Sequence, residues 1–208
     1  MTAETLALKS RLRPRPDRHE AEEAVRTLLS YFGEDPGREG LLDTPRRFVD
    51  AYREFLSGYA EDPAAILSCT FEEAGGYADM VLMKNIRLES HCEHHIQPII
   101  GTAHVAYLPA QKVVGISKLV RVVDVFARRL VSQEALTQRI ADTIEAALTP
   151  RGVAVCLDAE HRCVSARGAC KQGVSCVTQA LTGAFREDPA LEARFHRLIG
   201  QPMTANFR

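Results

Sequence analysis

The stretch "ESHCEHHIQP", Glu89 to Pro98, packs one cysteine and three histidines into five residues. Thiolates and imidazoles are the ligands that borderline-soft metals prefer, and a catalytic zinc takes three protein ligands while leaving a fourth position for water. Cys92 and His95, three residues apart in one turn, offer two such ligands. A third must come from elsewhere, and Cys163 in "EHRCVSARG" is the best candidate, because its segment also carries a histidine and an arginine and is suited to pair with the first hairpin. Two plainer readings compete. His91, His94 and His95 can be surface histidines beside a buried thiol. Cys156, Cys163, Cys170 and Cys176 can be imagined as a Cys₄ site, although they lack the closely spaced pairs that such sites use. Cys69 and Cys156 read most simply as core thiols.

Two further groups of side chains bear on chemistry. In "GISKLVR", Lys118 and Arg121 stand three apart at the start of a helix and so share a face, where an anion can bind or where both are simply solvated. Arg167 gains interest because it follows Cys163 by four residues. Gln133 and Glu134 open the next helix. A glutamate in a first turn ordinarily serves the helix dipole, yet a carboxylate beside an amide also suits the N–H donors of a guanine edge.

These side chains need elements to position them. A chain of 208 residues can bury a real core, and Lys+Arg 26 against Asp+Glu 27 leaves a formal charge of -1, which argues against non-specific nucleic-acid binding. No apolar run is long enough to span a membrane and the N-terminus lacks a secretory apolar core, so a cytoplasmic protein with reduced thiols is expected. Residues 1–18 are polar, basic and proline-bearing and read as a mobile tail; 19–60 read as a helical region, and 61–208 as the domain that carries these side chains.

The helical region holds an amphipathic helix from His19 to Phe32, stopped by Gly33, and a second from Thr44-Pro45, with Thr44 as its N-cap. From Ala78 the pattern turns to strands: "MVLMKNIRLESHC" and "IQPIIGTAHVAYLP" predict an antiparallel pair joined around the Cys/His cluster. Two helices follow, the second with Leu136, Ile140, Ile144 and Leu148 on one face. "VAVCLDAEHRCVSARG" and "VSCVTQALTGAF" then predict a second strand pair, and "DPALEARFHRLIG" a terminal helix.

"SHCEHH", "GISKLVR", "RRLVSQEALTQ" and "HRCVSARG", in this order and at these separations, resemble GTP cyclohydrolase I, and the resemblance runs from about Gly33 to about Ile199. It implies an α+β tunnelling fold, an antiparallel sheet with two helices packed on one face, assembled as a homodecamer of two stacked pentamers with active sites at subunit boundaries. It implies conversion of GTP to 7,8-dihydroneopterin triphosphate with release of formate, at the head of folate and pterin synthesis. Residue by residue, it implies Zn2+ on Cys92, His95 and Cys163, which agrees with the ligand set above. His94 and His161 become proton-transfer groups, with Ser117 beside His94 in the later steps. Gln133 and Glu134 hold guanine, while Ser117, Lys118, Arg121 and Arg167 hold ribose and triphosphate. His91 and Glu93 keep no firm role.

The chain departs from the family pattern at Val131-Ser132-Gln133-Glu134-Ala135, where Gln-Val-Gln-Glu-Arg is common, and in the thiols Cys170 and Cys176. Other readings differ in class: a zinc-stabilised member of the fold that binds a purine or pterin without turning it over, or another tunnelling-fold enzyme with a related substrate. Loss of the acid/base or guanine-holding residues would favour the first, and none is missing.

Overall fold

The computed structural model describes residues 15–68, 70–71 and 77–201. The expected tail lies outside the described residues up to position 14, as does Cys69. Helix α1 (Arg18–Tyr31) starts where Asp17 and Glu20 form a reciprocal capping box, and Gly33 beyond its end takes φ 91. Helix α2 (Thr44–Phe55) includes Thr44 as its first residue, so that threonine lies inside the helix and is not its N-cap. The described residues up to Glu54 form one compact unit and those from Phe55 another.

The second unit opens with a 3₁₀ turn at Ser57–Ala60 and the short helix α3 (Pro63–Leu67). Strand β1 (Thr70–Phe71) pairs antiparallel with β4 (Val113–Val114) in a small separate ladder. The main sheet is built from β2 (Val81–Cys92), β3 (Pro98–Leu108), β5 (Leu130–Val131), β6 (Gly152–His161) and β7 (Cys176–Leu181), in the order β5-β2-β3-β6-β7. The three long ladders are antiparallel, as the alternating sequences predict, while β5 adds a parallel neighbour at His91 and Cys92. Between the strands run α4 (Ile116–Ala127), α5 (Gln133–Leu148) and the single turn α6 (Arg162–Ser165); α7 (Ala184–Glu187) and α8 (Pro189–Ile199) close the chain.

Helices α4 and α5 cover one face of the sheet. Leu136, Ile140, Ile144 and Leu148 are all at most 1% exposed and meet Leu88, Ile99, Val105, Val155 and Leu157 in one cluster. Each such side chain stabilises the fold by about 2 kcal/mol relative to exposure, so this seam fixes how the helices sit on the strands. On the other face, Phe185 of α7 and Phe195 of α8 pack over Ala106, Ala154 and Cys156. Gly101 marks a close approach of β3 to β6: a side chain there would collide with the carbonyl of Asp158. Among the described residues, no helix is long and apolar enough to cross a membrane.

The second predicted strand pair needs one correction. The strand ends at His161, and "RCVS" turns into α6, so Cys163 leaves the sheet on a helical turn and does not continue along β6. A cysteine on a strand alternates between faces, whereas the turn swings its thiol back toward the β2–β3 connection.

Candidate active site

Strand pairing assembles the site at one end of the sheet. Because β6 runs antiparallel to β3, its last residue His161 lies opposite Ile99, beside the turn that joins Cys92 to Pro98. The parallel pairing of β5 sets Leu130 and Val131 against His91 and Cys92, and the Glu93 amide donates to the Val131 carbonyl at 3.3 Å. Three segments distant in sequence therefore converge: the Cys/His turn, α6, and the start of α5, whose N-cap Ser132 accepts from the Ala135 amide.

Cys92 is buried at the end of β2, His95 is exposed in the turn and Cys163 is half-buried on α6. Their ligand atoms all lie within 4.8 Å of one another, and no other such group of three occurs among the described residues. Cys92 Sγ stands 3.9 Å from His95 Nδ1. Zinc bond lengths and a tetrahedral angle require about 3.6 Å between a sulfur and a nitrogen ligand. The residues therefore fit a metal with little movement. Burial and the adjacent Cys92 thiol push the Cys163 thiol above its ordinary range, with Arg167 pulling the other way. A bound dication reverses that balance by favouring thiolate. Cys92, Cys156, Cys163, Cys170 and Cys176 are all free, and Cys170 is exposed.

His94 flanks the same thiol, its Nδ1 3.7 Å from Cys92 Sγ, and its Nε2 stands 3.8 Å from the Glu93 carboxylate. Glu93 thus has a neighbour that sequence alone does not assign. His91 turns inward and stacks on Phe55, with ring centroids 4.9 Å apart at 27°. His161 sits half-buried; burial holds its ring below the ordinary histidine range, opposed by the nearby Glu134 carboxylate.

Gln133 departs from expectation. Its side chain is 1% exposed, and its amide nitrogen points at the Cys176 carbonyl (2.8 Å), Thr178 Oγ1 (3.1 Å) and the Leu157 carbonyl (3.4 Å). Its oxygen faces His161 Nε2 at 2.8 Å. The side chain is thus enclosed, with its amide hydrogens engaged inside the protein. Glu134, next to it, is exposed. Thr137 and Thr178, which complete the network behind Gln133, carry no signal in sequence because only the packing of α5 on β7 brings them together.

The residues expected to bind the anion are not gathered here. Val114, just before α4, donates its amide to the Tyr107 hydroxyl, so α4 begins beside the far end of β3 and runs back toward Cys92. Ser117 and Lys118 in its first turn are therefore separated from its last residues by about 15 Å of helix. Arg121 lies midway, 3.5 Å from the Glu61 carboxylate. Arg167 alone of the four belongs to the near end, close enough to Cys163 to act on its thiol.

Known proteins resemble this chain along most of its length. The family model for GTP cyclohydrolase I matches residues 21–200. GTP cyclohydrolase 1 of Maricaulis maris (strain MCS10) is 52% identical over 96% of this chain and 97% of its own. That of Brucella suis (strain ATCC 23445 / NCTC 10510) is 56% identical over 91% of this chain and 89% of its own. Among solved structures, an archaeosine synthase QueF-like protein in the apo form aligns with TM-score 0.40 and 21% identity, over 50% of this chain and 93% of its own. With the family match running through nearly the whole described chain and more than half of the aligned positions identical in relatives, the chain belongs to the GTP cyclohydrolase I family.

Proposed function

We propose that this enzyme is a zinc-dependent GTP cyclohydrolase I that opens the imidazole ring of GTP, releases formate and yields 7,8-dihydroneopterin triphosphate, the first step toward tetrahydrofolate and pterins. The observation that carries the reading is the convergence of Cys92, His95 and Cys163 beside His161 and Glu134. Zinc held by the three ligands would make water nucleophilic near neutral pH, which attack on carbon 8 requires.

The chain's own residues supply the rest. His161 hands a proton to the ring nitrogen next to carbon 8, as a leaving amine needs. Burial disfavours the charged ring, so once protonated His161 gives that proton up readily, while the nearby Glu134 carboxylate supports the protonated form. Glu134 accepts from the guanine N1–H and amino group, and ATP, lacking that pattern, leaves the carboxylate unmatched. His94, exposed beside Glu93, moves protons during ribose opening and ring closure. Lys118, Arg121 and Arg167 hold the triphosphate, whose binding fixes the base remote from it.

Ser117 and Lys118 start α4 at the far end of β3, so they serve this site from a second copy of the chain. That supports a homo-oligomer with shared sites, for which two stacked pentamers is the arrangement proposed, in a cytoplasmic setting with no nucleic-acid or membrane partner. The decisive experiment gives purified, zinc-loaded protein GTP and measures formate and pterin together. One formate per pterin is expected, with ATP slower by orders of magnitude. Binding of GTP without either product would overturn the enzyme reading, and comparable rates with ATP would overturn the role of Glu134.

A further inference from the structure

The hydrogen bonds behind His161 form a chain in which each direction is forced. Thr137 Oγ1 donates its only proton to the main-chain carbonyl of Gln133 at 2.7 Å. The 2.7 Å contact between Thr137 Oγ1 and Thr178 Oγ1 must then be donated by Thr178, whose own lone pairs are left to accept from Gln133 Nε2 at 3.1 Å. The same nitrogen faces two groups that can only accept, the carbonyls of Cys176 at 2.8 Å and Leu157 at 3.4 Å. Turning the amide over would aim oxygen at both carbonyls and at a hydroxyl whose proton is spent. At 1% exposure bulk solvent does not reach such a mismatch to relieve it.

The amide oxygen is consequently the atom that meets His161 Nε2 at 2.8 Å, and an oxygen without a hydrogen can only accept. We infer that Gln133 is a positioning residue that locks neutral His161 as the Nε2–H tautomer, so that Nδ1 is the ring atom that exchanges a proton with the substrate. This rests on the proposed role of His161 as acid/base. It differs from a guanine-holding role for Gln133, because the side chain acts on the histidine and never touches the base. Tautomer locking matters to catalysis because a ring free to carry its proton on either nitrogen presents the wrong atom part of the time and can rotate away from the reacting position.

The test reads the tautomer directly. Zinc-loaded protein labelled with ¹⁵N-histidine is sedimented and examined by magic-angle-spinning NMR at a pH where the ring is neutral. The His161 signals, among seven histidines, are assigned by their loss in His161→Gln. In the wild type the unprotonated nitrogen should couple strongly to Hε1 alone, which marks Nδ1. In Gln133→Met, which keeps the length of the side chain and removes its acceptor, that single pattern should give way to the other tautomer or a mixture. In parallel, kcat should fall by about 10²-fold, the scale of a misplaced general acid, while KM for GTP moves less than about threefold. A wild-type His161 protonated on Nδ1, or a Gln133→Met spectrum identical to wild type, would overturn the inference. A rise in KM with kcat unchanged would return Gln133 to the guanine. The wild-type spectrum alone decides the tautomer even where Gln133→Met does not assemble. Failure of the wild type to release formate from GTP would instead remove the proposed function and leave the tautomer result standing.

Discussion

The two ends of β3 are proposed to serve two kinds of chemistry, and they are built differently. At its start, beside the Cys/His turn, the metal-ligand atoms lie within 4.8 Å of one another on segments tied by strand ladders and by a buried amide network. At its far end Ser117 and Lys118 open α4 beside solvent, with Arg121 half a helix further on and paired only loosely with Glu61. Chemistry at a reacting carbon needs atoms placed to within a fraction of an ångström, which rigid strand ends provide. Holding a triphosphate needs only charge within reach, and long side chains on an exposed helix turn supply it. Under the proposed function, a single chain completes the first site and only begins the second.

The largest expected effect breaks the first end. Cys163→Ser should remove bound zinc and abolish formate release, because two ligands do not hold a catalytic metal, whereas Cys170→Ser, exposed and outside the ligand set, should do neither. Metal analysis and a formate assay on both variants check this. A fully zinc-loaded Cys163→Ser would dismiss the ligand assignment.

That first end is partly legible in the amino-acid sequence. The i,i+3 spacing of Cys92 and His95 puts both within reach of one ion, and the apolar face Leu136, Ile140, Ile144 and Leu148 announces a helix laid on a sheet; all four are buried. What the sequence hides is short or tertiary. Leu130–Val131 is too brief to show a strand period, yet its parallel pairing with β2 is what brings Glu134 beside the cluster. "RCVS" carries strand-like residues but follows a ladder that has already ended at His161. Gln133 reads as a polar side chain at a helix start, where exposure is the ordinary fate. Only the acceptors on β6 and β7 turn it inward.

The second expected effect sharpens the comparison by asking whether the two ends meet across copies. Lys118→Ala and Cys163→Ser should each be nearly inactive alone. Denatured together in equal amounts and reassembled, they should regain activity in those sites that pair an intact metal end from one chain with an intact α4 from the other. Random assortment makes this about a quarter of the sites. Recovery near that level supports shared sites. Assembled mixtures that remain as inactive as the separate variants would mean that each chain supplies its own Lys118, and that α4 reaches the metal end by a movement within one subunit.

The smallest expected effect concerns Glu61, a carboxylate that faces Arg121 of α4. Arg121 lies 3.5 Å from Glu61, and both side chains are more than 40% exposed, so the pair contributes at most about 1 kcal/mol to stability. The segment carrying Glu61 does not depend on it, because Arg129 holds that segment through the carbonyls of Gly58 and Glu61 at 3.0 and 2.9 Å. Glu61→Gln should therefore leave the melting temperature within about 4 °C of wild type. Its effect should fall on substrate: the carboxylate competes with triphosphate for the same guanidinium, and removing it should lower KM for GTP by about two- to fivefold with kcat unchanged. Because exposed charges are screened over about 8 Å at physiological ionic strength, the gain should shrink as salt is raised. A KM that does not move at low salt would mean that Arg121 does not reach the triphosphate, whose binding would then rest on Lys118 from the far end and Arg167 from the near end.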